Sequence, residues 1–190
     1  MQDQDKARLL DILKQKSVFF GDFILASGAR SKHYFDCRLT TLDAEGAWLV
    51  GSVVLGLIRA EEKRRGITIQ SVGGLTMGAD PIALATGMAS FRETPSAPLK
   101  VFVVRKSPKS HGQTKLIEGN FAKGDRVVVI DDVVTKGDST LAAVQAVTDA
   151  GGKVEFAVVL VDREEGGRAK IEERGIPVLS VFRKSDVLGG

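Results

Sequence analysis

The 190-residue chain has little of several things, and each scarcity narrows what it does. Its single cysteine, Cys37, rules out an internal disulfide, and with only two histidines a zinc cluster has no ligands. Its apolar runs are too short to cross a bilayer, and the N-terminus, MQDQDKARLL, is charged and carries no signal-peptide core. No Gly-x-x-x-x-Gly-Lys-Ser/Thr string occurs, so the chain lacks the phosphate loop of the common nucleotide hydrolases. An excess of one charge sign is also missing: 27 Lys and Arg against 24 Asp and Glu leave +3. That is compatible with an anionic substrate but too weak and scattered for nucleic acid. The expectation is a cytoplasmic protein with neither a membrane nor a nucleic-acid partner.

What the chain does have is organised around residues 127–140, VVVIDDVVTKGDST. Val127, Val128, Val129 and Ile130 read as a strand buried on both faces that stops at two carboxylates, Asp131 and Asp132. Burying a charge is costly, so adjacent acids at the end of such a strand need a use. Thr135, Lys136, Gly137, Asp138, Ser139 and Thr140 then make a small, hydroxyl-rich turn, and Leu141, Val144 and Val147 follow at helical spacing. At a strand-turn-helix junction, backbone amides and hydroxyls converge while the helix dipole adds positive potential, which suits a phosphate. The acids just ahead suit the hydroxyls of an attached sugar. The reading is a phosphorylated-sugar site, with the ribose on Asp131 and Asp132 and the phosphate on residues 135–140. From the chemistry alone, three other readings stay open: the metal-holding acids of a nucleotide hydrolase, the acidic pocket of a receiver domain, or a capped turn.

The rest of the chain supplies the frame. Residues 5–14 carry Ala7, Leu10, Ile12 and Leu13 at roughly helical spacing, which predicts a short amphipathic helix. Residues 19–36 read as a β-hairpin whose second arm carries Tyr34 and Phe35. A long helix is expected over 43–65, with Asp43 as N-cap, Lys63, Arg64 and Arg65 in its last turn and Gly66 as its stop. Further strands are expected over 67–73, 99–104, 153–161 and 177–182. Residues 74–81 read as a strand-to-helix loop, small enough for its backbone to approach a ligand, with Pro81 in the first helical turn. Residues 105–119 gather Arg105, Lys106, Lys109, His111 and Lys115 among Ser, Pro and Gly, the composition of an exposed loop able to fold over a site. Arg163 falls at the end of its strand, where its planar fork either matches a carboxylate ligand or pairs with Asp162 or Glu164. Alternating strands and helices predict an α/β fold: a mostly parallel central sheet flanked by helices, with the site at the strand carboxyl ends. Residues 1–42 are expected to contribute a small N-terminal hood to a single domain spanning 1–190.

Residues 127–140 resemble the phosphoribosyl pyrophosphate signature of the type I phosphoribosyltransferases, in which apolar residues precede two acids and a Thr-x-Gly-x-Ser/Thr turn. Three more segments resemble the orotate phosphoribosyltransferases. They are the hairpin with Ser-Gly, basic residues, an aromatic pair and Asp; the Arg-Lys, later Lys, His-Gly loop; and the Asp162-Arg163 pair. The resemblance implies the type I phosphoribosyltransferase fold and transfer of ribose 5-phosphate from phosphoribosyl pyrophosphate to orotate. The products would be orotidine 5′-phosphate and diphosphate, in de novo pyrimidine biosynthesis. It assigns catalytic roles to Arg105, Lys106, Lys109 and His111, which would also hold the pyrophosphate. Binding of the ribose and 5-phosphate falls to Asp131, Asp132, Val133, Val134, Thr135, Lys136, Gly137, Asp138 and Ser139, and binding of orotate to Tyr34, Phe35, Thr135 and Arg163. Mg²⁺ is implied as cofactor, held mainly through the pyrophosphate and ribose of the substrate with no direct protein ligand. A homodimer with shared active sites is implied as well. The chain departs from many family members at Ala26, where they carry a lysine. A transferase for a purine or uracil would share 127–140 without needing Arg163 or the aromatic pair. A regulator that senses phosphoribosyl pyrophosphate would add a recognition helix or a concentrated basic face, and the sequence has neither.

Overall fold

The valine-rich runs lie side by side in one sheet. The computed structural model describes residues 2–24, 30–107 and 115–189. It opens with helix α1 (Gln2–Lys16), strands β1 (Val18–Ile24) and β2 (Arg30–Phe35), and a single helical turn, α2 (Arg38–Thr41). Next come α3 (Ala44–Arg65), β3 (Ser71–Leu75), α4 (Ala79–Glu93), β4 (Lys100–Val104) and β5 (Ile117–Gly119). The chain closes with β6 (Arg126–Val134), α5 (Asp138–Asp149), β7 (Lys153–Asp162), α6 (Gly167–Glu172), β8 (Val178–Arg183) and α7 (Lys184–Leu188). Six strands form a sheet in the order β5-β4-β3-β6-β7-β8, parallel except for β5. This is the expected α/β class. Strands β1 and β2 pair separately as an antiparallel hairpin, whose tip at 25–29, with Ala26, lies outside the described residues.

Burial on both faces explains why the strands read as continuous apolar runs rather than alternating ones. Along β6, Val128 and Ile130 point into a core shared with α1, α3 and α4, while Val127 and Val129 point into a second core against α5 and α6. Each such side chain contributes roughly 1.5–3 kcal/mol by leaving water. The longest helix begins as the sequence predicts, with the Asp43 carboxylate accepting from the Gly46 amide at 2.9 Å, and it ends at Gly66.

Three boundaries differ from the sequence reading. The strand expected over 67–73 is β3 at Ser71–Leu75, so Gly74 and Leu75 are ladder rather than loop. Strand β6 does not stop at its acids: Asp131 pairs with Val159 and Val134 with Asp162, because β7 is long enough to keep offering partners. Finally, Ile117 to Gly119 of the basic segment form the edge strand β5, too short to carry a readable period.

At the amino ends of the strands, polar clusters tie the elements together. Buried Asp125 accepts from the Ser71 hydroxyl, from Lys100 at 2.6 Å and from the Ala122 amide at 3.0 Å. Buried Glu155 meets Arg126 at 2.8 Å, Lys153 at 3.1 Å and Arg65, from the end of α3, at 3.1 Å.

Candidate active site

Strand β3 leads into α4 on one face of the sheet and its neighbour β6 leads into α5 on the other. Where two adjacent parallel strands send their connections to opposite faces, a crevice opens at their carboxyl ends. A cleft of about 680 Å³ lies there. One wall is Thr76, Met77 and Gly78 after β3, and the other is Asp131, Asp132, Val133 and the turn from Thr135 to Ser139. Tyr34, Phe35, Asp36 and Arg38 close one end together with Arg163 after β7, and Lys106 after β4 completes the lining. The loop after β3 comes so near the acids that a Cβ on Gly78 would sit 2.3 Å from Asp132 Oδ1 and push that carboxylate aside.

The two acids have different surroundings. Buried Asp131 has one oxygen on the Ser139 and Thr140 hydroxyls, both at 2.7 Å, and the other on the Asp132 amide at 3.1 Å. It therefore braces the first turn of α5 against the end of β6. Asp132 accepts from the Val133 amide at 2.9 Å and lines the cleft. Burial raises the pKa of both. Asp131 is raised despite its hydroxyl partners, and Asp132 is pushed up to about 6 by burial and then by the charge of Asp131.

The turn that follows is shaped for an anion. Gly137 sits at φ 79° in the left-handed region, and no side chain caps the start of α5. Its first-turn amides therefore face the cleft end without a side-chain acceptor. The Gly167 amide donates to the Thr135 carbonyl at 3.0 Å, bracing the turn from α6. Asp138 is engaged by Lys170.

At the other end, the Arg163 guanidinium lies over the Phe35 ring, 4.7 Å from its centroid, and Nη2 donates to Glu165 at 2.8 Å. Its Nε is buried with no partner among the described residues. Tyr34 packs against Phe23 and Phe19, with ring centroids 5.6 and 6.3 Å apart. Arg38 grips Asp36 with two bonds of 2.8 and 2.9 Å.

Of the residues singled out in the sequence, Tyr34, Phe35, Lys106, Asp131, Asp132, Val133, Thr135, Lys136, Gly137, Asp138, Ser139 and Arg163 meet around this one cleft. Val134 is buried beneath it, and Arg105 stands outside its lining, 3.7 Å from Glu118. Lys109 and His111 lie outside the described residues. The sequence reading missed Asp36 and Arg38 as lining residues. Their only signal was an acid and an arginine directly after the aromatic pair.

No protein-family model matches the chain. Orotate phosphoribosyltransferase of Aquifex aeolicus is 42% identical over 187 residues, covering 97% of this chain and 98% of that protein. Orotate phosphoribosyltransferase of Mycobacterium tuberculosis, solved with Fe(III) dicitrate, superposes with a TM-score of 0.80 at 39% identity, over 96% of this chain and 98% of that one. The same enzyme solved with 5-phospho-alpha-D-ribosyl 1-diphosphate gives a TM-score of 0.74 at 34% identity, over 97% and 92%. The chain belongs to the orotate phosphoribosyltransferase family.

Proposed function

We propose that the protein transfers the 5-phosphoribosyl group from phosphoribosyl pyrophosphate to orotate, a step of de novo pyrimidine synthesis. The observation that carries this reading is the cleft itself. An uncapped helix start, an Arg163 whose Nε has no partner among the described residues and which lies over an aromatic ring, and two acids all line it.

In the reaction, a ring nitrogen of orotate gives up its proton and bonds to the anomeric carbon while that carbon's bond to the pyrophosphate oxygen breaks, the proton leaving with the pyrophosphate. The transition state is a sugar-like cation, so alignment and charge stabilisation supply most of the catalysis. The start of α5 holds the 5-phosphate, and ionised Asp132 accepts from the ribose hydroxyls. Asp131 positions both by bracing Ser139 and Thr140. Arg163 takes the orotate carboxylate while Tyr34 and Phe35 flank the ring. Lys106 faces the cleft, and with Arg105, Lys109 and His111 it takes up the charge that leaves with the pyrophosphate.

Mg²⁺ fits this donor set as a substrate-borne ion. Among the described residues no three His, Cys, Asp or Glu side chains gather to hold a metal, and the Asp131 oxygens already have partners. In this reading the ion would be held mainly by pyrophosphate and ribose oxygens, where it would neutralise charge. A homodimer is supported by the face of α4, where Leu84, Met88 and Phe91 are 57%, 62% and 56% exposed at helical spacing, and the reading adds that its sites are shared. No helix among the described residues is long and apolar enough to cross a membrane. The reading carries a cytoplasmic location, where unpaired Cys37 stays reduced.

The test is to mix the protein with phosphoribosyl pyrophosphate and Mg²⁺ and follow loss of orotate beside uracil, hypoxanthine and guanine. Orotate is expected to be consumed; turnover of another base with none of orotate overturns the assignment. Mixing Lys109→Ala with Asp132→Ala protein is expected to restore activity across the dimer. No rescue under conditions of subunit exchange counts against sharing.

A further inference from the structure

The guanidinium of Arg163 is nearly sealed from solvent, with a side chain 5% exposed, yet it uses its donors unevenly. One bond goes from Nη2 to a single oxygen of Glu165 at 2.8 Å, while Nε is buried without a partner among the described residues. Leaving a buried donor unpaired costs free energy, so the arrangement suits a ligand that completes it. Both members of the pair ride on one turn that is fixed from outside. The Glu164 amide donates to Asp162 Oδ1 at 2.8 Å, Glu164 itself sits at φ 56°, and its carboxylate accepts from the Ser185 amide at 3.0 Å at the start of α7. The Arg163 amide in turn donates to the Val134 carbonyl at the end of β6. Below the guanidinium lies Phe35.

We propose that Glu165 is a positioning residue for the base. By taking Nη2 with one oxygen, it holds the guanidinium over Phe35 and leaves Nε for the carboxylate of the incoming pyrimidine. The inference rests on the reading that Arg163 meets that carboxylate. A long cationic side chain that is already ordered binds with less loss of rotamer freedom, and Arg exploits this because its fork is planar and rigid. Glu165 touches no substrate in this account; it acts through Arg163.

The experiment is steady-state kinetics on four variants: Glu165→Ala, Glu165→Gln, Arg163→Ala and the double alanine variant. Glu165→Ala is expected to raise KM for orotate about tenfold, the size of one long side chain's ordering cost, with kcat and KM for phosphoribosyl pyrophosphate little changed. Glu165→Gln keeps an oxygen that accepts the same bond and is expected to restore KM for orotate. Arg163→Ala is expected to raise that KM further, and adding Glu165→Ala to it should change nothing more. An unchanged or lower KM for orotate in Glu165→Ala overturns the positioning role. So does an equal rise in KM for phosphoribosyl pyrophosphate, or a Gln variant as weak as Ala. If instead Arg163→Ala leaves KM for orotate unchanged, the reading of Arg163 as the carboxylate's partner fails, separately from the role of Glu165.

Discussion

Strand β6 is preceded by Asp125 at its amino end and carries Asp131 and Asp132 towards its carboxyl end, and the two ends treat their acids in opposite ways. At the amino end, burial pushes the Asp125 carboxyl up, but Lys100, the Ser71 hydroxyl and the Ala122 amide outweigh it, and its pKa is lowered. Glu155, facing β6 from β7, follows the same pattern under Lys153 and Arg126. At the carboxyl end, burial wins. Asp131 is raised, and Asp132, with burial compounded by the charge of Asp131, reaches about 6. The lesson is that burial alone does not decide whether an acid stabilises a fold. The cationic partners do: Lys100, Lys153 and Arg126 stand at one end, while among the described residues Asp131 has only hydroxyls and an amide at the other. An acid without a cation beside it is poised for a ligand that brings one, and strained charge of this kind gathers at functional sites.

The largest expected effect is at the paired end. Glu155→Ala leaves Arg65, Arg126 and Lys153 without their shared acceptor, so unfolding by urea is expected to show a loss of about 3–5 kcal/mol. KM for both substrates, measured well below the melting temperature, is expected to stay the same. At the other end the outcome reverses: Asp132→Asn is expected to lower turnover by about 10²–10³-fold without destabilising the protein. A variant pair in which both ends lose stability alike would break the comparison. Smaller is the effect of Thr140→Val, which removes one of the hydroxyls on Asp131. A loss of about 1 kcal/mol in stability is expected, together with a weaker KM for phosphoribosyl pyrophosphate, because the brace serves the turn proposed to hold it.

The end of the cleft proposed for the phosphate was legible because it is contiguous. Residues 127–140 carry strand, acids, turn and helix within one stretch, so local period and turn chemistry suffice to place them. The base end was harder, since Phe35 and Arg163 come from distant parts of the chain, and motif resemblance alone brought them together. Asp36 and Arg38 were not read as lining residues because a short acid-arginine turn gains that meaning only when the hairpin folds down beside β6. The run of β6 through its acids was not readable from β6 itself, because the length of β7 decides it. The amino-end clusters were beyond reach for a similar reason: Arg65 and Glu155 are 90 residues apart and share no local pattern.

The central claim is that the carboxyl end of the sheet keeps Asp132 ionised against the preference of its surroundings. Its raised pKa means that the folded protein holds a proton more tightly than the unfolded chain does. The stability this contributes is complete below the unfolded value of 3.8 and is lost as pH rises through about 6. Thermal unfolding of the wild-type protein and Asp132→Asn from pH 8 to pH 4 tests this directly. The account predicts that the variant melts higher at pH 8 and that its advantage shrinks towards zero as pH falls through 6. A variant that melts lower at pH 8, or an advantage that does not change with pH, would contradict it.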